Sequence, residues 1–313
     1  MAKFRIYNIQ LLPNEDGIEE VGVAGYRKLF SKLRDVNTHH LRTRTLAQFH
    51  HQLPGDAFLG PFEFSFPKGF VYGHFVRYTK ADEVTELKSG KTLYRAKGRV
   101  AAVTTKRLIP FVFDTNNHYF AIAEANGSLP KASAFKKVLE RFLEGVATQN
   151  FPDHTLTVTL ISKANALERV FKEAVAYKTV DLNMVFPNGH PTDKLLDQLR
   201  DTKTQHLKIH ASAGQKGRMS GIPEFLKTIL RAATGLGQTH VTYFIQPPDA
   251  APGATRREVF NSDDTPYTFV VRHSANDTTE LDFFTRVADR LDTIDVSDDI
   301  DGDDSDSEQT EED

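Results

Sequence analysis

The sequence predicts an α+β fold: an N-terminal antiparallel β-rich part, an alternating α/β part, and an acidic C-terminal tail expected to be disordered. Three observations carry this expectation. Residues 1–130 are dense in aromatic and β-branched residues and are broken by Gly, Pro and Asn turns, as in a meander. After Pro130 apolar stripes at helical spacing alternate with short apolar runs, as in mixed helix and strand units. No Lys or Arg follows Arg290, whereas twelve of the 42 Asp and Glu lie in 291–313. Boundaries are therefore expected at 1–130, 131–291 and 292–313.

Element by element, Lys3 to Leu11 alternates as a strand and runs into the turn material Pro13-Asn14-Glu15-Asp16-Gly17. From Val23, the residues Tyr26, Leu29, Phe30 and Leu33 recur at helical spacing. Strands are expected at Phe62–Phe66, Phe70–Lys80, Leu93–Thr105, Leu108–Asp114 and His118–Glu124. Pro67-Lys68-Gly69, Ser89-Gly90-Lys91 and Thr115-Asn116-Asn117 are the turns between them. In the second part, Phe135, Val138, Leu139, Phe142 and Leu143 form one helical face. A strand is expected at Leu156–Ile161, and a helix through Leu167, Val170, Phe171 and Ala174. Val180–Phe186, Leu207–Ala211, Val241–Gln246, Val259–Asn261 and Tyr267–Arg272 are expected strands. Thr192–Thr202, Pro223–Ala233 and Thr279–Leu291 are expected helices, the first opened by a capping Thr.

The charge distribution bears on function. The net charge of −3 combines a body of +9 over residues 1–290 with a tail of −12. A basic body attracts phosphate, and a tethered polyanion either covers the same surface or aids solubility. With no cysteine, disulfides, thiol nucleophiles and Cys-ligated zinc are excluded. The start Met1-Ala2-Lys3-Phe4-Arg5 leads straight into the first alternating segment without a signal-type apolar stretch, so a cytoplasmic protein without direct membrane insertion is expected.

Three segments concentrate the positive charge. The first runs from Arg27 to His51, and the third runs from Lys203 to Arg231. The middle one, Lys88 to Arg107, contains no acid. There Arg95, Lys97 and Arg99 alternate with Tyr94, Ala96 and Val100, which on one strand gives a phosphate-tracking ridge, with Lys106 and Arg107 extending it. A solvated outer sheet face would show the same pattern. The loop Ala213 to Gly221 carries Lys216 and Arg218 among three glycines before an expected helix, so its backbone N–H groups are candidates to hold a phosphate. It lacks the Lys-Ser/Thr of a Walker sequence, and an ordinary surface loop is the alternative.

Catalytic signals are sparse. His39-His40 and His50-His51 lack a metalloprotease pattern and sit among arginines, so no metal and no cofactor are expected. Asp114 and Glu124 resemble the acidic pair of restriction-type nucleases, yet Asn126 stands where that site needs a Lys. No G-x-S-x-G elbow is present.

The opening Phe4-Arg5-Ile6-Tyr7-Asn8-Ile9-Gln10-Leu11-Leu12-Pro13, the phrase Val21-Gly22-Val23-Ala24-Gly25-Tyr26-Arg27-Lys28-Leu29-Phe30, and Phe111-Val112-Phe113-Asp114 resemble a family found in prophages and mobile islands, that of the satellite-phage Gop protein. The order of elements from Leu156 to His210 is distantly similar to the RexA phage-exclusion proteins. The resemblance implies anti-phage defence by phage exclusion or abortive infection. The RexA likeness implies a DNA-binding homodimer acting with a separate membrane effector. It carries over no catalytic residue, and the acidic tail has no counterpart in it. The expected function is non-specific DNA binding through Arg95, Lys97, Arg99, Lys106, Arg107, Lys216 and Arg218, with the tail as an autoinhibitor. A metal-dependent nuclease or toxic effector, and an adaptor for an acidic phage or host protein, are the alternatives.

Overall fold

The computed structural model describes residues 1–15, 17–81, 83–86, 88–95, 102–124, 127–185, 204–233, 237–249, 251, 253–274 and 277–294. The fold is mixed α+β. The described residues form two compact units, the first built mainly from Met1–Ile161 and Pro266–Thr293, the second from Ser162–Met184 and the described part of Thr192–Thr265.

The first unit is organised around β1 (Ala2–Pro13), a strand buried from Phe4 to Pro13. One edge of β1 pairs antiparallel with β8 (Tyr119–Ala123). Residues Ala2–Arg5 also pair with β14 (Thr268–Val271), and Tyr7–Pro13 with β9 (His154–Leu160). Because both registers overlap that of β8, β9 and β14 share the opposite edge of β1 end to end. Tyr267 N donates to Ile161 O at 2.8 Å where the two meet. From β8 the sheet continues through β7 (Ala102–Asp114), β4 (Phe70–Ala81), β3 (Ala57–Ser65) and β2 (His51–Leu53), antiparallel throughout. A separate hairpin pairs β5 (Glu83–Thr85) with β6 (Thr92–Arg95).

Alternation along the strands divides the aromatics between the two faces. On one face Phe75, Phe111, Phe113 and Phe120 meet α1 (Val23–Arg42) and α3 (Ala132–Asn150). Phe30 of α1 stacks on Phe113 with centroids 4.4 Å apart, and Phe135 of α3 lies 5.6 Å from Phe75 and 5.5 Å from Tyr7. The other face carries Phe4 and Tyr72 against α6 (Glu280–Asp292), with Tyr72 and Phe284 at 4.3 Å. Each fully buried ring contributes about 1.5–3 kcal/mol by leaving water, so this layering is the main stabilising feature of the unit.

Thr279 caps α6 in a capping box with Asp282. Thr279→Ala should destabilise the unit by about 1 kcal/mol, read as a lower urea midpoint at unchanged slope. An unchanged midpoint would mean that α6 docking does not depend on the cap.

The short helix α2 (Leu46–Phe49) delivers His50 into the core, where it is 2% exposed. Its Nε2 faces Pro61 O at 3.2 Å and Asn37 Oδ1 at 3.3 Å, both acceptors, so Nε2 carries the hydrogen and donates. Asn37 Nδ2 in turn donates to Phe62 O at 3.2 Å. Nδ1 is left buried without a partner. A Cβ on Gly60 would come within 2.1 Å of this ring, so the close seat requires glycine there. Burial lowers the His50 pKa to about 4, with the bond to Pro61 opposing and the His40 charge assisting.

In the second unit β11 (His206–Ser212), β10 (Ala174–Val185), β12 (Gly237–Ile245) and β13 (Arg256–Asn261) form one sheet in that order. The pairs β10–β12 and β12–β13 are antiparallel. Its two described helices are α4 (Ala164–Glu173), which buries Leu167 and Val170, and α5 (Glu224–Ala233), which buries Leu226 and Leu230.

Several expectations change. The boundary at 130 is not a break, because α3 packs on the first sheet and β9 completes an edge of β1. The expected strand Leu93–Thr105 is two elements, β6 and the start of β7, with 96–101 outside the described residues. Ala174 opens a strand rather than closing a helix, and β3 starts at Ala57. The helix expected at Thr192–Thr202 and the tail from residue 295 lie outside the described residues. Among the described residues no helix is long and apolar enough to cross a membrane.

Candidate nucleic-acid interface

The expected basic ridge is only partly assembled. Arg95 is on β6, where the register places it opposite Glu83 of β5. Its Nη2 donates to both Glu83 carboxylate oxygens, at 3.0 and 3.2 Å. Hydrogen bonds from Thr92 and from Arg95 hold the Glu83 carboxyl below its ordinary range. The acid-free stretch of sequence thus meets an acid from across the hairpin, and Arg95 is largely neutralised. Lys97 and Arg99 lie outside the described residues.

Lys106 and Arg107 are consecutive on β7 and so point to opposite faces, which rules out a single ridge. Lys106 Nζ sits 4.4 Å from the centroid of Phe62, a cation–π contact on an exposed side chain. Arg107 pairs directly with Arg77 of β4. Like charges opposite one another on a sheet repel, and no ion pair joins either to a carboxylate among the described residues. Instead each guanidinium reaches the segment before α3: Arg77 Nη1 donates to Gly127 O at 2.7 Å and Arg107 Nη1 to Ser128 Oγ at 3.1 Å. Arg77 was missed in the sequence because it stands alone between Val76 and Tyr78, and only the β4–β7 register brings it to Arg107.

Loop 213–221 does not have the form expected of a phosphate nest. Its carbonyls converge, not its N–H groups: Lys178 Nζ donates to Gly214 O, Gln215 O and Gly217 O at 2.7, 3.0 and 3.1 Å. The N–H groups of Ala213, Gly217 and Met219 are bonded to Lys178 O, Gly214 O and Tyr177 O. The loop already encloses an internal cation and has few donors left for an anion. Arg218 lies over Phe244, its Cζ 4.0 Å from the ring centroid, and donates to Thr255 Oγ1 at 2.8 Å, while Lys216 is exposed.

A second basic surface of the first unit is the shallow depression beside α1, lined by Arg27, Lys28, Lys32 and Arg34 with Phe66. Arg27 donates to Pro67 O at 2.5 Å and Phe66 O at 2.7 Å, and Arg34 pairs with Asp35 at 2.9 Å. The carboxylates considered for a nuclease have local roles. Asp114 is buried and accepts from Asn116 N and Asn117 Nδ2, both at 2.8 Å, closing the turn after β7, and Glu124 pairs with Lys3 at 3.2 Å. His40 stacks on Phe49 and His51 meets Arg141, so the two His pairs are spread among different contacts. Among the described residues no three His, Cys, Asp or Glu are placed to hold a metal.

Residues 2–289 match the family model described as a domain of unknown function, DUF4747, and the chain belongs to that family. Comparison with curated proteins and with solved structures finds no match.

Proposed function

We propose that this DUF4747 protein binds the phosphate backbone of nucleic acid, DNA first, through the basic surface of its first unit, and that charge rather than base identity sets the affinity. The observation that carries the reading is the pair Arg77 and Arg107, opposed across β4 and β7 with no carboxylate paired to either among the described residues. Two guanidiniums held side by side are costly unless an anion joins them, and phosphate oxygens accept from such a pair in bidentate fashion. The depression beside α1, a helix packed on the same face of the sheet, supplies further charge for a backbone that runs past the unit, whereas Lys106 points to the other face. Phage exclusion in the cytoplasm, as a homodimer with a separate membrane effector, is the setting that the resemblance to prophage-encoded proteins suggests.

The test is a titration of duplex DNA and of RNA at several salt concentrations. In Arg77→Gln/Arg107→Gln, the slope of log K against log salt should flatten by roughly 0.9 for each phosphate no longer neutralised, similarly for unrelated sequences. Arg95→Gln, already neutralised by Glu83, should leave the slope close to that of the wild type. An unaltered slope in the double variant would sink the assignment. Weaker binding in Arg95→Gln alone would move the interface to the hairpin.

A further inference from the structure

Arg77 and Arg107 are joined by a third guanidinium from another strand. Arg5 of β1 is 5% exposed, and its Nη2 donates to Pro130 O at 2.9 Å. The rings of Tyr7 and Phe135 flank it, 5.9 and 5.3 Å from Cζ, and fix its plane. Its Nε is buried and has no partner. Three strands thus each send an arginine into the same four residues, Gly127 to Pro130, immediately before α3.

All three lie on one face. Arg5 precedes Tyr7 by two residues, and Arg77 follows Phe75 by two, and both aromatics pack on Phe135 of α3. The segment they hold leads directly into the first turn of α3, a helix of 19 residues, where Arg5 lies against Phe135. That turn has no acidic residue, its N-cap is Lys131, and no side chain caps it. The free N–H groups and the positive end of the helix dipole remain unanswered. The adjoining carboxylate on this face, Glu124, is held by Lys3.

We propose that Arg5, Arg77, Arg107 and Ser128, with the first turn of α3, form a binding site for a phosphomonoester dianion, carried by the end of a nucleic-acid strand or by a free nucleotide. Three guanidiniums and a helix terminus exceed what a single negative charge requires, and a monoester carries about two near neutral pH with three acceptor oxygens. A diester within a strand has two free oxygens and needs an open path for chain on both sides. Arg5, against Phe135 of α3, is 5% exposed and Ser128 1%, so the site admits a terminus more readily than a chain interior. This deepens the reading above, since it shares Arg77 and Arg107 with it, but the two fail separately.

The experiment compares one oligonucleotide carrying either a 5′-phosphate or a 5′-hydroxyl, the same pair at the 3′ end, a nucleoside monophosphate and inorganic phosphate. The full-length protein should prefer a phosphorylated end by about tenfold, and inorganic phosphate should erase the preference and raise the melting temperature. The preference should weaken below the second phosphate pKa, near 6. Ser128→Ala and Arg107→Gln, both milder than a change at buried Arg5, should remove it while the fold is retained, as read by circular dichroism. Equal affinity for both ends at each terminus, with no thermal response to phosphate, overturns the site. If salt-dependent strand binding persists in that case, the nucleic-acid reading stands without it. Binding of phosphate and mononucleotide without strand binding sustains the site and overturns the nucleic-acid reading.

Discussion

Truncation after Ile294 should tighten nucleic-acid binding on the order of a hundredfold at low salt, and by much less at high salt. Residues 295–313 hold eleven acids and no base, tethered to a body of opposite charge. A tether of this length presents its charges at roughly millimolar local concentration. If the tail binds the basic surface about as weakly as non-specific nucleic acid does, near 10 μM, it occupies the surface almost fully, and free DNA must displace it. Cutting after Ile294 rather than after Leu291 keeps Asp292, whose Oδ1 accepts from Asn117 Nδ2 at 3.1 Å. Replacing the eleven acids by Asn and Gln should act like deletion. Equal affinities for full-length and truncated protein at low salt would leave the tail with no part in masking the interface.

His50 should make folding strongly pH-dependent. Its folded pKa, about 4, is below the ordinary 6.5, so the unfolded chain takes up the proton first as pH falls. Above 6.5 both states are neutral and stability is complete. Between 6.5 and 4 the unfolded state gains, and below 4 the penalty levels off at about 3 kcal/mol, more than a hundredfold in the folding constant. The cause is visible in the site: protonation would place a second N–H on buried Nδ1, which has no acceptor. His50→Gln keeps a donor for Pro61 O but does not titrate. Urea unfolding from pH 7.5 to 4.5 should therefore show the wild type losing stability faster than the variant. Parallel profiles would assign the acid sensitivity of the fold to other groups.

The strands and helices were legible wherever burial is one-sided. The stripe Tyr26, Leu29, Phe30 and Leu33 defined α1, and Phe135 to Leu143 defined α3, because a helix against a sheet must repeat its apolar residues every three or four positions. Partnership between distant strands was not legible. Nothing local in Leu156–Ile161 says that it pairs with β1, since a short apolar run fits any edge that offers hydrogen bonds, and the boundary at 130 was misplaced for that reason. The same limit applied to the candidate site. Charge density pointed to residues 88–107, but Glu83 opposite Arg95 and Arg77 opposite Arg107 are facts of register, which composition does not carry. In loop 213–221 glycine spacing fixed the turn but not its polarity, and Lys178, 36 residues upstream of Gly214, decided that carbonyls would face inward.

The bond from Tyr267 N to Ile161 O has a consequence for how such a chain tolerates change. The chain leaves the first sheet after Ile161 and rejoins it beside that point near Tyr267, because β9 and β14 are laid end to end on β1. The described residues of Ser162–Met184 and Thr192–Thr265 are in this sense a guest between two fixed posts. The entropy of closing a loop grows only slowly with its length, so a longer, shorter or different guest alters the host by little once the posts are joined. The first unit can keep its arginines and its register while the material between Ile161 and Tyr267 is exchanged. Replacements are thus expected to be tolerated best between Ile161 and Tyr267, where the two flanking strands sit next to each other on β1.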